Sequence, residues 1–110
     1  MLDKQEKTID LIAAMKAAVP FEVELTPPLL ERLRSDASAS ATASRQLVRE
    51  VSYAGDEGGI LCHIELTGSE KRLVISLTHL RLRHSLPFAA AVLDYQKHRA
   101  KKLKKQQRAQ

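Results

Sequence analysis

"RQLVREVSYAGDEGGILCHIELTGSEKRLVISL", residues 45–77, holds three short apolar runs parted by "AGDEGG" and "TGSEK". Each run alternates apolar with polar residues, the period of a half-buried strand, and the glycine-bearing breaks supply turn residues. Two consecutive antiparallel hairpins follow, with strands at about 46–53, 60–66 and 73–83. Register is read from polarity, because a slip of one residue sends every apolar side chain to the wrong face. Tyr53 opposite Ile60 and Leu66 opposite Leu73 gather Leu47, Val51, Cys62, Ile64, Ile75 and Leu77 on one face. Arg49 falls on that face too, an exception tolerable where its stem packs and its head reaches water. The same register lines Glu50, His63 and Ser76 across the opposite face.

Upstream, Asp3 to Val19 reads as a helix, with Ile9, Ile12, Met15 and Val19 at helical spacing before Pro20. "FEVEL" (21–25) alternates as a strand, and Thr26 with Pro27 starts a short helix carrying Leu29, Leu30 and Leu33. Residues 35–44, "SDASASATAS", offer nothing to a core and read as a flexible loop. Downstream, Ser85 and Pro87 open a final helix whose Leu86, Ala89, Ala90, Leu93 and Ala100 share a face. The expected architecture is α+β: an antiparallel three- to four-stranded sheet, with a β-meander at 46–83 and the N- and C-terminal helices packed mainly on one face. One domain is expected over 1–96, followed by a basic helical extension or tail at 97–110.

Composition narrows the function classes. The chain has 110 residues, 44% of them apolar, which suits one core. Aromatics are 4% with no tryptophan, so a broad stacking platform for bases is not expected. Cys62 is the only cysteine, which excludes an internal disulfide and a multi-cysteine metal cluster; a reducing cytoplasm suits it. No apolar stretch approaches the roughly 20 residues that span a bilayer, and the N-terminal sequence lacks the order of a secretion signal.

Three chemistries are weighed against this sequence. Glu50, His63 and Ser76 are residue types used in hydrolysis, but Ser76 lies mid-strand and nothing supplies an oxyanion hole. His63, His79, His84 and His98 sit on different elements without metal-ligand spacing. "GDEGG" carries acids where a phosphate cradle would need amides. Catalytic residues, metal ligands and cofactors are therefore all expected to be none.

The charge of +5 is unevenly divided. Residues 97–110 hold Lys97, Arg99, Lys101, Lys102, Lys104, Lys105 and Arg108 and no acid, leaving 11 bases against 13 acids in the first 96 residues. Such asymmetry suggests a polyanionic partner. These cations point all round a helical axis, so the helix is expected to stop packing near Ala100 or Leu103 and to fray or extend beyond. Arg81 and Arg83, with His79, follow the core row of the third hairpin strand and must reach solvent, paired with acids such as Glu22, Glu24 or Glu70 or free for a partner. Past Tyr95 only Leu103 is a large apolar residue, so a lipid surface is a poor fit.

The sequence thus points to a non-enzymatic module that binds nucleic acid with weak sequence selectivity. RNA, or a ribonucleoprotein, is favoured over DNA because no segment reads as a helix-turn-helix. The binding residues would be the seven cations of 97–110 with Arg81, Arg83 and Arg72. The competing expectation is a protein-interaction or regulatory adaptor with an incidental basic tail, for which Leu61, Leu80 and Leu82 would form an exposed apolar patch.

Overall fold

The computed structural model describes residues 5–35, 43–55, 58–66 and 72–108. In chain order these form α1 (Gln5–Ala18), β1 (Phe21–Leu25), α2 (Pro27–Arg34), β2 (Arg45–Tyr53), β3 (Ile60–Glu65), β4 (Arg72–Ser76), β5 (Leu80–Leu82) and α3 (Ala89–Arg108). Asp3, residues 36–42 of the Ala/Ser stretch and the 67–71 turn lie outside the described residues.

The fold is α+β, and its sheet has five strands in the order β4-β3-β2-β1-β5, every neighbouring pair antiparallel. The expectation of three to four strands is corrected by a break in the third hairpin strand. Leu77–His79 form a 3-10 turn, after which the chain resumes as β5 on the far edge of the sheet. Ser76 starts the turn: its Oγ accepts from the Thr78 N–H at 3.5 Å and lies 3.0 Å from Thr78 Oγ1. A 3-10 turn rises about 2 Å per residue. Three residues therefore cannot span the roughly 19 Å that four interstrand gaps put between the edges of a flat sheet. The sheet must curl, and it does so around its buried face.

That face carries Phe21, Val23, Leu25, Val48, Val51, Ile60, Cys62, Ile64 and Ile75. Leu11 and Met15 of α1 and Val92 and Tyr95 of α3 cover it, with Phe88. Each fully buried Leu, Ile or Val contributes about 1.5–3 kcal/mol relative to exposure. In α1 the buried stripe is Thr8, Leu11 and Met15, whereas Ile9, expected inside, is 57% exposed.

The β2–β3 register matches the polarity argument, pairing Glu50 with His63, Val51 with Cys62 and Tyr53 with Ile60. Between Val48 and Glu50 the ladder is interrupted by a bulge. Arg49 is the extra residue, which is why a cation stood in an apolar row: the bulge turns it out and rephases the strand. Val48 consequently faces the core opposite Ile64, and Leu47, assigned to the core from sequence, faces solvent at 41% exposure. In β3–β4 the pairing is offset by two residues from expectation, Ile64 meeting Leu73 and His63 meeting Val74. A two-residue offset keeps each side chain on its face. It does separate Ser76 from His63, since Ser76 pairs with Leu61.

Candidate nucleic-acid interface

Helix α3 is rich in Ala, Lys, Gln and Leu, all good helix formers, and runs unbroken for 20 residues through the segment expected to fray. Its inward stripe is Val92, Tyr95 and Arg99, continuing from Phe88 just before it at helical spacing; of the Leu/Ala face read from sequence, Ala89 is buried and Leu86 half-buried, and the rest is exposed. Leu93, on the expected face, is 45% exposed. Three polar side chains on α3 tie it down. The Tyr95 hydroxyl accepts from the Ile60 N–H at 2.9 Å. Gln96 Nε2 donates to the carbonyls of both Leu77 and Leu80, each at 2.7 Å, and so braces the turn that carries the chain from one sheet edge to the other. Arg99 is only 3% exposed, its guanidinium lying over Gly59 in the β2–β3 turn. Arg99 therefore cannot contact a partner, which corrects its assignment to the binding face.

The inward stripe fixes what the remaining cations do. At about 100° per residue, Lys97, Lys101, Lys104 and Lys105 fall within an arc of about 100° on the side opposite Tyr95 and Arg99, while Lys102 lies about 20° from Tyr95, in line with the inward stripe but beyond its last buried residue. The cations do not encircle the axis; four form one outward face. All five lysines are exposed, and among the described residues none of them is in an ion pair. Asp94 is the only acid in the helix. Arg108 closes it, and that side chain lies outside the described residues.

The sheet cations have different surroundings. Arg81 and Arg72 are exposed and stand in register beside Glu24 and Glu65. Arg83 Nη2 meets Glu22 Oε1 at 2.8 Å, and Arg45 approaches the same oxygen at 3.8 Å. Arg49 lies 3.5 Å from Glu65. Among the described residues, the outer face of the sheet is a mosaic of both signs, with no concentration of positive charge. Leu80 is buried, and Leu61 and Leu82 are half-buried, so these three form no exposed apolar patch.

A groove of about 710 Å³ separates α1 from α3. Phe21, just past α1, meets Phe88, just before α3, edge to face at 5.2 Å. The helices therefore run antiparallel, so that Lys7 and Thr8 face Lys97, His98 and Lys101 at one end while Ala14 faces Phe88 and Ala91 at the other. Asp10 and Asp94 stand between. The sequence does not announce this groove, which remains where the short side chains of Ala14 and Ala91 do not fill the space between the two helices.

On the outer face of the sheet, Ser52 Oγ and His63 Nε2 share a 2.7 Å hydrogen bond. Ser52, two residues along β2 from Glu50, takes the place given to Ser76 in the sequence reading. Cys62 is fully buried, and loss of hydration pushes its thiol up to about 12. Among the described residues no group of three His, Cys, Asp or Glu side chains could hold a metal ion, and no helix is long and apolar enough to cross a membrane. No protein-family model matches the chain, and no curated protein or solved structure matches it either, so the functional reading rests on its own residues.

Proposed function

We propose that the protein is a non-enzymatic nucleic-acid-binding module, and that α3 is the binding element. The observation that carries this reading is the outward row of Lys97, Lys101, Lys104 and Lys105, exposed on one continuous helix and unpaired among the described residues. Lysine is a point charge that meets phosphate without the bidentate geometry by which arginine reads guanine. Binding is accordingly weakly selective and salt-sensitive, with dissociation constants of about 10⁻⁴–10⁻⁶ M at physiological salt. Arg72 and Arg81 contribute at most a secondary contact, because glutamates flank them.

RNA is favoured over DNA. Helix α3 follows a strand, with no helix joined to it by a short turn as the helix-turn-helix requires. Titration of binding against salt tests the proposal. Four phosphate contacts give a slope of log K on log salt near −3 for a single strand and about −3.6 for duplex DNA. Replacing Lys101, Lys104 and Lys105 by alanine should weaken binding to all sequences and bring the slope to about −1. A slope unchanged by this substitution would refute the assignment of α3.

A further inference from the structure

We infer that the groove between α1 and α3 receives one unstacked base of the bound strand, and that it favours bases carrying an exocyclic amine. The inference rests on α3 being the nucleic-acid face. Lys97 and Lys101 belong both to the outward lysine row and to the groove's rim, so a backbone held along that row passes the groove mouth. Lys7 adds a cation from the opposite wall.

The groove's other polar groups suit a base better than a phosphate. Asp10 and Asp94 would repel a passing phosphate. A carboxylate is an acceptor only, complementary to the N–H₂ groups of cytosine and adenine and not to the O4 of uracil. Thr8 lines the groove beside the two carboxylates and adds a hydroxyl to its polar groups. Beyond these groups lie Leu11, Ala14, Phe88 and Ala91, an apolar recess for the ring. The volume falls within the range of pockets that enclose small organic groups. Recognition of splayed-out bases in single strands is the common mode for RNA.

Fluorescence anisotropy with oligocytidylate, oligoadenylate and oligouridylate of equal length provides the test. The native chain should bind the first two about tenfold more tightly than the third, as expected for one good base contact. Ala91→Met fills the groove from an exposed position and leaves every lysine in place; it should abolish that preference while preserving the salt slope. Asp94→Asn exchanges an acceptor for an amide and should reduce the preference by raising uridylate binding relative to the others. Equal binding of all three probes by the native chain would overturn the inference and leave the lysine face standing. A preference that survives both substitutions would overturn it as well. Absence of salt-dependent binding to any probe would instead remove the functional reading beneath it.

Discussion

At Gly59 the backbone adopts φ +65°, and a β-carbon there would collide with the Tyr95 hydroxyl and lie 2.8 Å from Arg99 Nη1. This glycine is the seat on which α3 docks. Gly59→Ala combines about 1–2 kcal/mol of left-handed backbone strain with displacement of two α3 side chains. It should lower stability by at least about 2 kcal/mol in urea denaturation, whereas Gly55→Ala, at φ +66° with open space around its β-carbon, should cost only the backbone share. Cys62 lends itself to a different measurement. Its thiol ionises near 9.0 when hydrated and near 12 when folded, so its contribution to stability is complete below pH 9 and is lost as pH rises from about 9 to about 12. Below that window, thiol-directed reagents should modify Cys62 only at the rate of unfolding. Modification of the native chain within minutes at pH 8 would show that the strand opens locally.

At the scale of elements, the strands and their faces were legible wherever polarity alternates, as the Val51–Cys62 and Tyr53–Ile60 pairings show. Legibility failed at Arg49 and at Leu77–His79, where the chain leaves regular alternation: the bulge reverses the phase of Leu47 and Val48 before it, and the 3-10 turn that of Leu80 to Leu82 after it. In α3 the sequence carried a usable signal that charge concealed. Phe88, Val92, Tyr95 and Arg99 recur at helical spacing, but a stripe ending in arginine does not look like a packing face. The candidate lysines were legible individually; their gathering on one side became visible only once Arg99 was turned inward. This placement changes what shortening the helix would do. A chain ending after Lys102 keeps Tyr95, Gln96 and Arg99 and should melt within a few degrees of the full chain, with weaker nucleic-acid binding. Ending after Tyr95 removes Gln96 from the Leu77 and Leu80 carbonyls and Arg99 from the β2–β3 turn. Unsatisfying even one buried group costs about 1–3 kcal/mol, so this shorter chain should unfold at a clearly lower urea concentration.

For the whole molecule, the disposition of charge decides how folding and binding respond to salt. The outer sheet face interleaves five arginines, Arg45, Arg49, Arg72, Arg81 and Arg83, with four glutamates, Glu22, Glu24, Glu50 and Glu65. Its ion pairs are exposed, and such pairs contribute about 0–1 kcal/mol each. Past Asp94, the described part of α3 has only like charges at close range: Lys97 with Lys101, Lys101 with Lys104 and Lys105, and Lys102 with Lys105. Like-charge pairs three or four residues apart cost about 0.2–0.5 kcal/mol each, so the end of α3 carries about 1–2 kcal/mol of repulsion at low ionic strength. Screening becomes effective once the Debye length falls to about 8 Å near 0.15 M salt. Raising salt from about 10 to 150 mM should therefore slow amide exchange in residues 101–105, while nucleic-acid affinity falls over the same range. A bound phosphate chain would relieve the same repulsion, so at low salt the ligand and added salt should protect these amides in parallel. Exchange insensitive to both would mean that the lysines do not strain the helix. It would also remove the physical reason for an anion to settle there.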